Sequence, residues 1–204
     1  KLELLETVFP EMSEGKPARR LRLDQDSASL LNSFNLLTAK PILFACNVEE
    51  EAVSLGNRSS AVIEQLAQSM YAHTVIVAAS IEAEVASLNG EDQAEFLADI
   101  DLEEPSLNRV IRESYALLQL LTFFTAGTKE TRAWAVHIGA RAPEAAGTIH
   151  TDFARGFIAA EVIAYDDYTN LGGEQACREQ GKMRLEGRDY IMRDGDICHF
   201  RFNV

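Results

Sequence analysis

The sequence predicts an α/β segment followed by a smaller α+β domain, and three observations predict it. Lys40-Pro-Ile-Leu-Phe-Ala-Cys-Asn47 is a short continuous apolar run that opens on proline and ends on a polar residue, the pattern of a buried strand of a parallel sheet. An amphipathic helix and a second such run, Thr74–Ala79, follow it, giving a strand-helix-strand unit. Near Leu120 the pattern changes to short alternating strands with glycine turns.

Taken in order, residues 1–9 read as a helix stopped by Pro10, and residues 11–23 as a connector holding Gly15 and Pro17. Asp24 or Asp26 caps a helix whose face is Leu30, Leu31, Phe34 and Leu37. After the first strand, Gly56-Asn57 marks a loop. Ser59 or Ser60 caps a helix burying Val62, Ile63, Leu66, Ala67 and Met70. Beyond the second strand come a short helix or turn from Ile81 to Leu88 and an acidic helix from Gly90 to Ile100. A longer helix capped by Ser106 carries Leu107, Val110, Ile111, Tyr115 and Leu118. Residues 121–127 and 131–136 then form a hairpin, and Pro143 opens a helix that continues weakly to Phe153. Phe157–Ile163 is a strand, residues 173–185 are helical, and Arg188–Met192 with Ile197–Phe202 close the chain as a hairpin around Asp194-Gly195. This order of elements suits a small β-grasp-like domain.

The chain has 204 residues and 47% apolar content, enough for one large domain or two small ones with a real core. The longest apolar runs are too short to span a bilayer, and no signal peptide is visible. The chain starts at Lys1, directly inside a helical pattern, so its natural start is expected upstream. Cys46, Cys177 and Cys198 are odd in number and lack metal-ligand spacing, which fits reduced thiols in a cytoplasmic protein. A net charge of −13 argues against a general nucleic-acid binder. The acid is concentrated in residues 1–121, where nine lysines and arginines face twenty acids; residues 122–204 hold ten against twelve. The later part can therefore present a local basic face, or simply an ordinary mixed surface.

Ligands of open α/β sheets sit at the carboxyl ends of the strands, here Asn47 and Ala78-Ala-Ser80. Asn47-Val-Glu-Glu50 lies where P-loop GTPases carry Asn-Lys-x-Asp, whose aspartate accepts the N1 and N2 protons of guanine. The Asn-x-x-Glu pattern, with Val48 in place of the lysine stem, points to an altered base preference, towards adenine. The other reading is that Asn47 merely ends a strand and the glutamates are solvated. No G-x-x-x-x-G-K-[ST] occurs, so the chain has no phosphate cradle and is not expected to hydrolyse a nucleotide alone. His150 with Asp152 admits a catalytic pairing, but a helix-surface or capping histidine is the simpler reading. His73, His137 and His199 share no ligand spacing. Lys182, Arg184, Arg188, Arg193 and Arg201, with Tyr190 among them, either hold RNA phosphates and stack a base or are balanced by Glu186, Asp189, Asp194 and Asp196.

Several longer motifs carry a family resemblance. They are Phe123-Phe-Thr-Ala-Gly127, Lys129-Glu-Thr-Arg-Ala-Trp134, Ala142-Pro-Glu-Ala-Ala-Gly147, Ile149-His-Thr-Asp-Phe153, Gly156-Phe-Ile158, Gly181-Lys-Met-Arg184, Asp194-Gly-Asp196 and Phe200-Arg-Phe-Asn203. Together they resemble the C-terminal TGS domain of the Obg-like ATPases, the YchF subfamily of translation-factor P-loop GTPases. Upstream, Lys40 to Glu50 resembles that subfamily's base-recognition strand, and Leu102-Glu-Glu-Pro105 with Leu107–Ile111 its link into the TGS domain. The resemblance implies that residues 1–38 are the returning segment of a helical, coiled-coil arm. Residues 39–120 would be the C-terminal part of a P-loop NTPase G domain, and residues 121–204 a TGS domain of β-grasp type. It further implies that Asn47, Val48 and Glu50 contact the adenine of ATP and that Ala78, Ala79 and Ser80 line its other side. Ala78 departs from the family's serine- or cysteine-like position. The family's P-loop, magnesium ligands and switches are expected before Lys1. ATP hydrolysis with magnesium, ribosome or ribosomal-RNA association, and a cytoplasmic location are implied for the complete protein; a stand-alone RNA- or ribosome-binding module is the alternative. The half-sheet is also expected to leave Ile42, Leu43 and Val75 open to oligomer contacts.

Overall fold

The computed structural model describes residues 1–127 and 130–203. Lys129, which opens one of the motifs above, lies outside them. The chain forms two compact units, Lys1–Leu117 and Leu118–Val204. No described helix is long and apolar enough to cross a membrane.

The first unit begins with helix α1, Leu2–Ser13, and helix α2, Gln25–Ser33. Pro10 does not stop α1 but lies inside its last turn. The missing N–H costs one ladder bond there, and the helix continues for three more residues. Asp24 caps α2 by accepting from the Ser27 N–H at 3.0 Å, as its position suggests. Leu4, Val8, Ala18 and Leu31 close a small core between these helices. Leu37 is left out of it at 80% exposure, because the chain leaves α2 at Phe34 and turns. Arg19 pins this segment, donating to the carbonyls of Thr38, Lys40 and Met70 at 3.0, 3.2 and 3.2 Å.

Strands β1, Leu43–Asn47, and β2, His73–Val77, pair in parallel with Asn47 opposite Val77. Helix α3, Arg58–Ser69, makes the crossover. Its cap is Asn57, not Ser59 or Ser60. Asn57 Oδ1 accepts from the Ser60 N–H at 2.9 Å, and Ser60 Oγ accepts from the Asn57 N–H at 2.8 Å, a reciprocal capping box. β1 is only half-buried, with Ala45 and Asn47 exposed, since the sheet has two strands. Val75 is nonetheless buried, because α3 and helix α6, Ser106–Leu117, both pack on β2; Ile42 and Leu43 are half-buried. Val62 and Leu66 of α3, and Leu107 and Ile111 of α6, are exposed although their spacing marks them as inward-facing. Helices α4, Ala79–Val85, and α5, Gly90–Asp99, enclose Ala78, Ile81, Val85 and Leu97. Glu82 of α4 caps α6 from outside, its carboxylate accepting from the N–H of Ser106 at 2.6 Å and of Leu107 at 3.3 Å.

The second unit is a five-stranded mixed sheet. Its strands are β3, Leu120–Ala126; β4, Thr131–His137; β5, Phe157–Ile163; β6, Arg184–Glu186; and β7, Ile197–Phe202, in the order β4-β3-β7-β5-β6. β3 and β7 run parallel, and the other pairs are antiparallel. Helices α7, Ala142–Ile149, and α8, Thr151–Arg155, share a core with Phe123, Ala160, Val162 and Phe200. Helices α9, Tyr165–Leu171, and α10, Glu174–Glu179, belong to a second cluster around Ile163, Cys177 and Ile197.

Three expectations change here. The helix expected over 173–185 forms only as α10, since Gly181 at φ +69° follows its end and Arg184 already belongs to β6; a further helix, α9, lies before it, separated from α10 by Gly172 and Gly173 at φ +84° and +127°. The closing hairpin does not form. Residues 188–192 spend their backbone bonds on the α7 entry, with Met192 N–H donating to Ala140 O and Ala142 N–H to Tyr190 O, both at 2.9 Å. β7 instead inserts between β3 and β5. His150 breaks the helix after Pro143 in extended backbone and caps α8, its Nδ1 accepting from the Asp152 N–H at 3.2 Å.

Candidate functional site

The parallel register brings the ends of β1 and β2 side by side, and two bonds lock them. Val48 N–H donates to Val77 O at 2.8 Å, and Asn47 Oδ1 accepts from the Ala79 N–H at 3.0 Å. The Asn47 side chain therefore bridges 32 residues of sequence to hold the turn from β2 into α4. Its Oδ1 is engaged there, so its amide Nδ2 is the donor left for a ligand. Ala78 is fully buried beneath this turn, while Ala79 and Ser80 are exposed on it. Val48 is 7% exposed and packs inward, supporting the strand end rather than offering a broad face.

The three consecutive acids after Val48 are not equivalent. Glu49 accepts from the Asn57 side-chain amide at 3.2 and 3.1 Å. Its own backbone N–H and that amide hold its carboxyl below the usual range. Glu50 is exposed at the start of the short turn Glu50–Ala52, which Ala52 and Val53 anchor in the interior. A cleft of about 220 Å³ runs beside β1, lined by Phe44, Cys46, Asn47, Val48, Asn57 and Ile63 among others. Sequence reasoning missed Asn57 and Glu49. An Asn followed three residues later by Ser before an apolar periodic run is the signal that marks a capping box. Nothing local marks its bond to Glu49.

The structure engages most of the candidate cations of the second unit within the fold. Lys182 Nζ lies 3.1 Å from Asp167. Arg184 donates to the Tyr190 hydroxyl at 3.2 Å and lies 3.7 Å from both Glu186 and Asp196. Arg188 donates to Phe157 O at 3.1 Å and stands over that residue's ring. Arg201 pairs with Glu161. Of the acids opposing them, Asp189 pairs with Arg141 at 3.0 Å and Asp194 accepts from the Thr122 N–H at 2.8 Å. Arg193 is exposed, and its guanidinium has no ion-pair partner among the described residues. Cys46, Cys177 and Cys198 are free thiols, and burial pushes the Cys198 thiol well up, so it is a packing residue rather than a nucleophile. The described residues assemble no group of three or more side chains suited to a metal ion.

A family model named YchF-GTPase_C, described as a protein of unknown function (DUF933), matches residues 120–203. Over 204 residues the chain is 50% identical to the ribosome-binding ATPase YchF of Haemophilus ducreyi, covering 100% of this chain and 56% of that protein. It is 48% identical to the same-named protein of Haemophilus influenzae, with the same coverage. The solved structure of the Schizosaccharomyces pombe YchF GTPase superposes at a TM-score of 0.83 with 30% identity, covering 98% of this chain and 53% of that one. The chain thus spans about half the length of the curated relatives it matches. With sequence identity along its whole length and a shared fold in both units, the chain belongs to the YchF family of Obg-like ATPases.

Proposed function

We propose that the chain is the C-terminal portion of a ribosome-associated, ATP-preferring P-loop NTPase that works in the cytoplasm. In this reading residues 1–38 are the return of a helical arm, 39–120 the base-binding end of a G domain, and 121–204 a TGS domain of β-grasp type. The observation that carries it is the Asn47–Ala79 bond at the paired strand ends, with Glu50 free beside it. Asn47 Nδ2 is placed to donate to a ring nitrogen. The Glu50 carboxylate accepts from an exocyclic amine such as N6 of adenine, with Ala79 and Ser80 on the other side and Val48 and Ala78 as the floor.

These residues fit the base of ATP. The chain contains no phosphate-cradling motif, and the described residues form no cluster for magnesium, so no hydrolytic step is derived from them. Bound nucleotide in the complete protein would supply the phosphoryl group. What this chain's residues do is hold and select the base.

The test is a nitrogen-15 correlation titration of the 204-residue chain with adenosine and, separately, guanosine. Adenosine is expected to move the amides of residues 47–50 and 78–80 in a weak, saturable way, with guanosine weaker. Movement with guanosine alone, or with neither, overturns the base assignment.

The ribosome half of the reading draws on the names of the relatives as ribosome-binding ATPases, and among the candidate cations of the second unit Arg193 is the exposed one with neither an ion pair nor a side-chain hydrogen bond among the described residues. The chain is expected to co-sediment with ribosomes, less so as salt rises. Replacing Arg193 by glutamate is expected to weaken co-sedimentation about fivefold at low salt. Unchanged co-sedimentation would move the contact off this face.

A further inference from the structure

We propose that Glu49 and Asn57 form a tie that fixes the loop carrying Glu50, and that they are thereby positioning residues for base discrimination. The discriminating role rests on the base-binding reading above.

The sequence presents Glu49, Glu50 and Glu51 as a uniform acidic run. The structure commits one of them and leaves its neighbour free. Both carboxylate oxygens of Glu49 lie against Asn57 Nδ2, at 3.2 and 3.1 Å. The far end of that tie is rigid, because Asn57 is itself held at both its side chain and its N–H by Ser60, which is 8% exposed at the start of a 12-residue helix. On the other side of Glu50 the chain enters a tight turn, with Ala52 N–H donating to Glu49 O at 3.0 Å and Val53 N–H to Glu50 O at 3.2 Å. Ala52 and Val53 are buried. Glu50 therefore sits between two anchors, an exposed polar tie before it and a buried turn after it.

The tie also offsets a local cost. Three adjacent carboxylates repel, and releasing Glu49 would let that repulsion swing the loop outward. A charged acceptor on a neutral amide donor is a stronger bond than a neutral pair, so an exposed contact is enough to bias a short loop. Glu50 reads a donor on a base only if its backbone holds still. A loop that wanders by an ångström reads adenine and guanine with less contrast.

Asn57→Asp separates this tie from the helix cap. The new carboxylate still accepts from the Ser60 N–H, so α3 stays capped, but the donor to Glu49 is gone and two carboxylates face each other. The amides of residues 48–52 are expected to gain fast motion in nitrogen-15 relaxation, with the thermal midpoint little changed. The adenosine dissociation constant is expected to rise about fivefold, the worth of one such bond. The double variant Glu49→Gln with Asn57→Asp exchanges donor and acceptor, and it is expected to restore both loop order and affinity to within about twofold. Unchanged loop order in Asn57→Asp, or a double variant no better than the single one, overturns the tie. Restored order with no return of adenosine contrast overturns its discriminating role. A wild-type chain that adenosine does not perturb overturns the base reading itself, and that result is separate from the relaxation result.

Discussion

Gly156→Ala is expected to destabilise the second unit by about 3 kcal/mol, the upper end of overpacking effects. A Cβ at this position would lie 2.2 Å from Asn203 O, 2.8 Å from its carbonyl carbon and 3.1 Å from its nitrogen. All three are backbone atoms, so no side chain can swing away to make room. Gly156 also holds two bonds that a shift would strain. Its N–H donates to Asp152 O at 2.9 Å, closing α8, and its carbonyl accepts from the Asn203 N–H at 2.9 Å. Moving Asn203 drags the end of β7 with it, including Phe202, whose ring stacks on Phe153 with centroids 3.9 Å apart. Denaturant and thermal unfolding would measure the effect, and a loss of this size corresponds to a fall in the midpoint of about 15 °C for a unit of this length. Gly187→Ala is the control. Nothing lies within 4 Å of its added Cβ, and a change of no more than about 0.5 kcal/mol is expected there. Equal effects at the two sites would refute the close-approach account.

Asp196→Ala is expected to cost about 3 kcal/mol, because it strands two donors, the Tyr190 hydroxyl and the Arg193 N–H, that have no other acceptor among the described residues. Asp196 is 2% exposed. One carboxylate oxygen accepts from the Tyr190 hydroxyl and from the Arg193 N–H, each at 2.8 Å, and Arg184 stands 3.7 Å away. The same contacts predict an alkaline limit. Burial, and then the bond to Asp196, push the Tyr190 phenol up from 10.0 to about 12. The folded state thus prefers the protonated phenol. Its contribution to stability is complete below the unfolded value near 10 and is lost as pH rises through about 12. Stability measured across pH 9 to 12 should fall in that window, and Tyr190→Phe, which cannot ionise, should flatten the fall. Burial raises the Cys198 thiol in the same direction, so part of the slope survives that substitution. A Tyr190→Phe profile parallel to the wild type would show that the phenol is not linked to folding.

The sequence by itself determined whatever depends on neighbours along the chain. Glycine and proline punctuation set the turn at Gly56, the end of β3 before Gly127 and the start of α7 at Pro143, and two apolar runs around an amphipathic segment required a parallel strand-helix-strand unit. That unit places Asn47 and Ala78–Ser80 at adjacent strand ends with no further information, because parallel strands end on the same side. Capping at Asp24 was legible for the same local reason. Periodicity named the apolar faces of α3 and α6, but it cannot say whether anything covers them, and Val62, Leu66, Leu107 and Ile111 stand exposed. Only the tertiary structure decided the contacts that link distant residues. Asn47 with Ala79, Glu82 with the start of α6, and Gly156 against Asn203 join positions 24 to 47 residues apart, and their partners carry no mark of one another. The place of β7 is of the same kind. Its own alternation permits a hairpin with residues 188–192, but those residues turn Tyr190 and Met192 towards the α7 core and give their backbone bonds to it. The last strand is then left to fill the gap between β3 and β5.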